Sequence, residues 1–181
     1  FGTRAPASGG SNLGSGTSAV DYTQLLSSLT PGATYYYCAI SSNVHGTSFG
    51  AVLQFTALAN APSVATNSPT LITGTTAQLN GSANPGGAAT TGWFRYATTN
   101  PVTCNDVFGT RAPSAGGSAL GAGNTAVAYG VGVTGLSPAT TYYYCAIAQN
   151  SVGTSVGSVV SFSTPAPPTV TTTTSSNLTN T

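Results

Sequence analysis

Thr141-Tyr142-Tyr143-Tyr144-Cys145-Ala146-Ile147 is the stretch on which the fold turns. It is rich in aromatic and β-branched residues and carries no helix former beyond one Ala, the composition of a strand. The same seven residues stand at Thr34–Ile40. A second segment, Phe-Gly-Thr-Arg-Ala-Pro, also occurs twice, from Phe1 and from Phe108. Both pairs are 107 residues apart. That period is too long for a solenoid repeat and matches a small domain. The frame predicts three pieces: residues 1–59 as the C-terminal part of a repeat, 60–166 as a complete repeat, and 167–181 as the start of a third.

Within the complete repeat, short alternating runs are separated by turn residues, and no stretch has a 3.6-residue apolar period. Pro62–Thr66 reads as a first strand. Thr75–Ala83 reads as a second, with Ala77, Leu79, Gly81 and Ala83 inward, and Asn84-Pro85-Gly86-Gly87 as a turn. Thr91–Ala97 places Gly92, Phe94 and Tyr96 on one face and Trp93 and Arg95 on the other. Thr99 to Gly123 reads as loop with room for a short edge strand. Ala126–Leu136 groups Val127, Tyr129, Val131 and Val133. Thr141–Ala148 and Val156–Ser163 complete about seven strands, the size of an immunoglobulin-like β-sandwich. The joints at Ala59–Pro62 and Pro165–Pro168 contain proline and are expected to be stiff.

Charge is nearly absent: three Arg and Lys together, two Asp and Glu together, 3% of the chain. An ordinary soluble domain carries about 25%. Binding to nucleic acid or to an anionic membrane surface needs clustered cations and is not expected. No apolar run reaches the ~18 residues of a spanning helix, so no membrane insertion is expected from this segment. Low charge signals disorder only when apolar residues are scarce. Here 40% are hydrophobic, with nine Tyr and six Phe, so a packed core is expected.

At Leu136-Ser137-Pro138-Ala139-Thr140-Thr141-Tyr142 the chain resembles the E–F corner of fibronectin type III domains, and Leu29, Pro31 and Tyr35 repeat the pattern. Ala148-Gln149-Asn150-Ser151-Val152-Gly153 is similar to that family's F–G hairpin, and Ser41–Gly46 is the matching stretch. The closing strand Gly157–Thr164, with Phe162, is also similar. The resemblance covers nearly the whole chain. It implies an all-β chain of immunoglobulin-like (fibronectin type III-like) β-sandwiches in tandem, as in bacterial secreted and surface proteins. It also implies a tyrosine corner at Tyr35 and at Tyr142, whose hydroxyls bond back to the corner backbone. Where many members carry a core Trp, this chain has Gly81. Either Trp93 turns inward to fill the space, or the sandwich is a variant.

Cys38 and Cys145 are one position in two copies, and the counterpart of Cys104 falls before Phe1. Each full repeat thus carries two cysteines. The expectation is a Cys104–Cys145 disulfide, with Cys38 paired to a residue outside the chain. Free structural thiols and an intermolecular bridge are the alternatives. A disulfide implies an oxidising, extracellular or cell-surface setting.

No metal site or other cofactor is expected. Three Cys and one His lack zinc-ligand spacing, and Asp21 and Asp106 form no carboxylate cluster for calcium. His45 corresponds to Val152, and Asp21 to Ala128, so the repeat requires neither. Paired carboxylates and a positioned base are missing, so no enzymatic activity is expected. Gly116–Gly123 has no following helix or Lys with which to hold phosphate. Asn80-Gly81-Ser82 and Asn177-Leu178-Thr179 match the N-glycosylation acceptor pattern, and the Thr-rich end from Val170 could carry O-linked sugar.

Alternation places Tyr143, Cys145 and Ile147 outward, beside Trp93 and Arg95, with Tyr36 and Ile40 as counterparts. This is the candidate interaction face. It has two readings: a contact surface, or a face covered by the disulfide, the long loop and Arg95 stacked on Trp93. The functional expectation is a stalk, adhesin or filament subunit that self-associates, with strand addition between subunits as one route and a surface glycan or protein as a further ligand. The rival is a carbohydrate-binding or spacer module of a secreted polysaccharide-degrading enzyme, with Trp93 and Tyr143 as sugar platforms.

Overall fold

The alternating runs form strands in a computed structural model that describes residues 2–173. Every described element is a β-strand and every pairing is antiparallel. The chain divides into two compact units, residues 1–57 and 58–181. Residues 167–173 form no strand; the rest of the 167–181 piece, with the Asn177 acceptor, lies outside the described residues.

The first unit has four short strands: β1 (Thr34–Tyr37), β2 (Ile40–Asn43), β3 (Gly46–Phe49) and β4 (Leu53–Thr56). β1 pairs with β4 and β2 with β3. Residues 2–33 carry no strand.

The second unit has nine: β5 (Ser63–Thr70), β6 (Thr76–Asn84), β7 (Thr90–Ala97), β8 (Thr110–Ala112), β9 (Ser118–Gly121), β10 (Val127–Thr134), β11 (Thr141–Gln149), β12 (Thr154–Val156) and β13 (Val160–Ser163). One sheet has the order β10-β6-β5. In the other, β7 and β11 are central; β8 and β9 pair with β7, and β12 and β13 with β11. The stretch expected as loop thus holds two short strands, because Thr110–Ala112 and Ser118–Gly121 pair with opposite ends of β7. The expected single closing strand is two, β12 and β13, separated at Gly157–Val159, where the Gly157 N–H still donates to the Ala146 carbonyl at 2.8 Å.

The two sheets share one core. Leu79 of β6, Phe94 of β7 and Tyr144 and Ala146 of β11 are at most 1% exposed. Phe94 lies 5.0 Å from the Tyr129 ring and 6.2 Å from Tyr144, as ring centroids. The Leu79 and Phe94 side chains each contribute about 1.5–3 kcal/mol on burial. Gly81 has no room for a side chain: a Cβ there would come 2.7 Å from the Ala146 methyl and 3.2 Å from Phe94. Phe94 and Ala146 therefore occupy the space in which Trp93 was one expected occupant. Trp93 stays on the opposite face of β7.

Candidate interaction site

β7 and β11 lie side by side, with Trp93 opposite Ile147 and Arg95 opposite Cys145. Period-2 alternation sends these four side chains to the face of the sheet away from the main core. They are not exposed there. Trp93 is 5% exposed and Cys145 and Ile147 0%, in a second apolar cluster with Cys104, Phe108 and Val159. Tyr143 is half-buried. The expected contact face at Trp93, Arg95, Tyr143 and Ile147 is thus a covered one.

The cover is the segment between β7 and β8. Asn100 and Asn105 fold it locally: the Val102 N–H donates to the Asn100 Oδ1 at 2.9 Å, and the Val107 and Phe108 N–H groups donate to the Asn105 Oδ1 at 3.0 and 2.9 Å. Asn side chains favour such turns because the amide oxygen substitutes for a backbone acceptor. A Cys104–Cys145 disulfide joins the segment to the centre of the sheet. Asp106 is its second anchor. Its Oδ1 accepts the indole N–H of Trp93 at 2.7 Å and the Arg95 Nε–H at 3.0 Å. The ion pair is partly open, the Arg95 and Asp106 side chains being 19% and 42% exposed.

Arg95 does not stack on Trp93. Its guanidinium turns to Asp106, and Arg111 of β8 takes the ring face, 4.8 Å from the Trp93 centroid. Arg111 is held in that pose by bonds to the Pro113 carbonyl at 2.6 Å and to the Gly116 carbonyl. A buried indole beneath a guanidinium presents no flat platform for a sugar ring, so Trp93 is not the platform the carbohydrate reading needs. Asp106 and Arg111 went unassigned in the sequence reading. The signal was available: Asp106 is the one acidic residue of the complete repeat, two positions from a cysteine and in a chain with three cations.

The tyrosine corner is present twice. The Ser137 N–H donates to the Tyr142 hydroxyl oxygen at 2.9 Å, and the Thr30 N–H to that of Tyr35 at 2.8 Å. The latter bond favours the phenolate and lowers the Tyr35 pKa. Other bonds also recur at the same spacing. The Tyr22 hydroxyl donates to the Ile40 carbonyl at 3.2 Å and the Tyr129 hydroxyl to the Ile147 carbonyl at 2.9 Å. Tyr35 stacks on Phe55 at 5.7 Å and Tyr142 on Phe162 at 5.6 Å. Arg4 bonds the Pro6 and Gly9 carbonyls as Arg111 bonds those of Pro113 and Gly116.

Exposure does not recur. Tyr36 is 65% exposed, Tyr37 46% and Ile40 48%, where Tyr144 and Ile147 are 0%. Cys38 is half-buried and has no disulfide. His45 sits in an exposed turn, its N–H donating to the Asn43 Oδ1 at 2.8 Å.

Asn150 is a further structural centre. Its amide donates to the carbonyls of Asn60 at 2.7 Å and Pro85 at 2.9 Å, while its Oδ1 accepts from Val152 and Gly153. The Asn80 amide, in one glycosylation acceptor pattern, is engaged by the Ser68 carbonyl and the Thr70 hydroxyl, both at 3.0 Å. Among the described residues no three His, Cys, Asp or Glu side chains converge as metal ligands. No helix among them is long and apolar enough to cross a membrane.

No protein-family model matches the chain. No curated protein matches it either. Among solved structures, the chain is similar to the sensor domain of the anti-sigma factor RsgI4 of Pseudobacteroides cellulosolvens. A short form of that domain is 18% identical, with a TM-score of 0.41 over 60% of this chain and 98% of its own length. A long form is 19% identical, with a TM-score of 0.39 over 63% and 99%. The same domain in solution is 19% identical, with a TM-score of 0.36 over 64% and 93%. Similarity of this extent leaves function to be argued from the residues of this chain.

Proposed function

We propose that this chain is part of an extracellular or cell-surface structural protein, built from tandem fibronectin type III-like sandwiches that serve as a stalk, adhesin or filament. The observation that carries this reading is the recurrence of one tertiary bond set 107 residues apart, Tyr22 to Ile40 and Tyr129 to Ile147. Local sequence repeats arise for many reasons. A repeated long-range hydrogen bond supports the reading that one domain plan recurs.

Three further observations support the reading. The chain carries 3% charged residues, so contacts between copies would form without strong electrostatic steering. The disulfide fits an oxidising compartment. Asn60, at the joint, is bonded to the body of the second unit through Gly86 and Asn150, so the chain enters that unit under constraint. The reading assigns the segment no catalysis, metal or cofactor: its function is extension and multivalent contact.

The test is an array of three or more copies of residues 60–166, examined by electron microscopy and small-angle scattering. Extended particles whose length grows in proportion to copy number are expected. A compact particle of constant shape would overturn the rod.

A further inference from the structure

We propose that residues 101–108 form a thiol-released lid. A small neutral thiol or dithiol opens the Cys104–Cys145 disulfide by attack at Cys104, and the segment lifts from Trp93 and Ile147 while the rest of the second unit stays folded. The proposal concerns the second unit alone and is independent of the tandem-repeat reading.

The lid contributes little to its own closure. Among residues 98–109 only Cys104 is fully buried. Val102 and Val107 are 83% and 86% exposed, so neither adds to the apolar cluster beneath. Closure therefore depends on two tertiary anchors, the disulfide and Asp106. Asp106 is partly exposed, where water competes for its bonds.

Val102 opposes closure. Its φ is 63°, in the left-handed region, and it is the one β-branched residue among the described non-glycine residues found there. A β-branched residue in that region is an outlier held in place by its surroundings. The Thr103 N–H donates to the Pro101 carbonyl at 2.6 Å, closing a three-residue turn of the strained kind around Val102. Burial does not offset this strain, because the valine side chain lies in solvent. What the turn achieves is the placement of Cys104 two residues on. Opening the disulfide removes the constraint that holds the turn.

Access to the sulfurs is one-sided. An open hollow of about 430 Å³ is lined by Val102, Thr103, Cys104, Val156 and Val159, with no charged side chain. Cys145 does not line it: it is 0% exposed, packed with Trp93 and Ile147. A thiolate entering the hollow attacks the Cys104 Sγ. A bond forms between the reagent sulfur and Cys104, the Cys104–Cys145 bond breaks, and its electron pair leaves on Cys145. Arg95 stands opposite Cys145 across β7 and β11 and places a cation beside that leaving thiolate, which then takes a proton from water. With a dithiol, the second thiolate displaces Cys104 in turn. Two electrons have then passed to the cysteines, and the reagent is oxidised to a cyclic disulfide.

Opening stops at Gly109. Its φ is 50°, and a Cβ there would collide with the Tyr96 carbonyl oxygen. Beyond it, Thr110 and Ala112 pair with Tyr96 and Phe94. Leu79, Phe94 and Tyr144 belong to the main core and keep their cover.

The experiment uses the full 181-residue chain carrying Cys38→Ser, so that one disulfide reports. Brief exposure to 2-mercaptoethanol, followed by peptide mapping, should find the mixed disulfide on Cys104. Dithiothreitol without denaturant should shift Trp93 emission to the red and accelerate amide exchange at residues 102–108 about tenfold, with the β-sheet circular dichroism retained. Asn tolerates the left-handed region, so Val102→Asn should hold the reduced lid closed more of the time and cut that acceleration about threefold. A mixed disulfide on Cys145 overturns the proposal, as does equal acceleration in Val102→Asn. Loss of the circular dichroism together with reduction would make the disulfide a brace of the whole unit and overturn it. So would a reduced protein whose Trp93 emission and lid exchange are unchanged, or a bond that dithiothreitol leaves intact in the folded chain.

Discussion

The Asp106 carboxylate accepts the indole N–H of Trp93 at 2.7 Å, and by doing so closes a segment of chain over the outer face of the sheet. The same oxygen holds Arg95. A carboxylate bonded to an indole and a guanidinium is worth more than a neutral acceptor, about 1.5–3 kcal/mol before solvent screening. Because Asp106 is partly exposed, the lower end applies. Asp106→Ala should cost about 1–2 kcal/mol in urea unfolding and shift Trp93 emission to the red as water reaches the ring. An unshifted spectrum would mean that the disulfide alone keeps the cover closed.

Reduction tests the other anchor. The Cys104–Cys145 bond spans 41 residues, and chain entropy assigns a loop of that length about 4 kcal/mol. Cys104→Ala with Cys145→Ala should lower stability by about 3–4 kcal/mol and expose Ile147 and Trp93. Thermal unfolding in the presence and absence of a phosphine reductant measures it. A melting temperature indifferent to reduction would contradict this.

Gly81 faces Ala146 and Phe94 across the main core with no space for a methyl group. Gly81→Ala should destabilise the second unit by about 1–3 kcal/mol through overpacking. Gly81→Ala combined with Ala146→Gly should recover part of that loss, since the 2.7 Å clash is with the Ala146 methyl. A double-variant cycle that is additive would count against the contact.

Asn150 bonds four backbone groups, two of them carbonyls at Asn60 and Pro85. Asn150→Ala leaves those carbonyls short of a donor and should cost about 2–3 kcal/mol. Amide exchange at residues 58–62 should accelerate more than exchange in β6 or β11. Equal acceleration everywhere would place Asn150 in the global fold rather than at the joint.

Burial pushes the Tyr144 phenol up to about 12 and holds that of Tyr129 well above its ordinary range. The folded state thus keeps these protons where an unfolded chain, near 10.0, loses them. The stabilisation is fully present below about pH 10 and is lost as pH rises through about 12. Alkaline titration followed by phenolate absorbance and circular dichroism should find these two tyrosines ionising together with loss of the fold. Tyr129→Phe should flatten that pH dependence, while costing about 1 kcal/mol at neutral pH by leaving the Ile147 carbonyl without its donor. Ionisation of both phenols in an intact fold would contradict this.

The inward and outward sides of β6, β7, β10 and β11 were legible because alternation is a local property: Leu79 and Phe94 had to share one face, and Trp93 and Arg95 the other. The cover on that second face was not legible. It depends on Pro101–Phe108 returning across β7 and on which guanidinium reaches Trp93, and both are settled by contacts between residues distant in sequence. Alternation along β7 puts Arg95 on the Trp93 face and says nothing of Arg111. Only the register that pairs Arg95 with Arg111 across β7 and β8 decides which one stacks.

The doubled Thr-Tyr-Tyr-Tyr-Cys-Ala-Ile marks where the sequence ends its authority. By itself it determined extended backbone at Thr34–Tyr37 and Thr141–Tyr144 and the corner bond to the tyrosine hydroxyl, because each depends on residues within the same half of a repeat; it did not determine strand continuity, since β1 ends at Tyr37 while β11 runs on to Gln149. It did not determine burial. Tyr37 is 46% exposed and Tyr144 is 0%, in identical heptapeptides. What differs is β7 paired beside the second copy and β5 and β6 in the sheet that faces it, and a side chain leaves water only when other chain is brought over it.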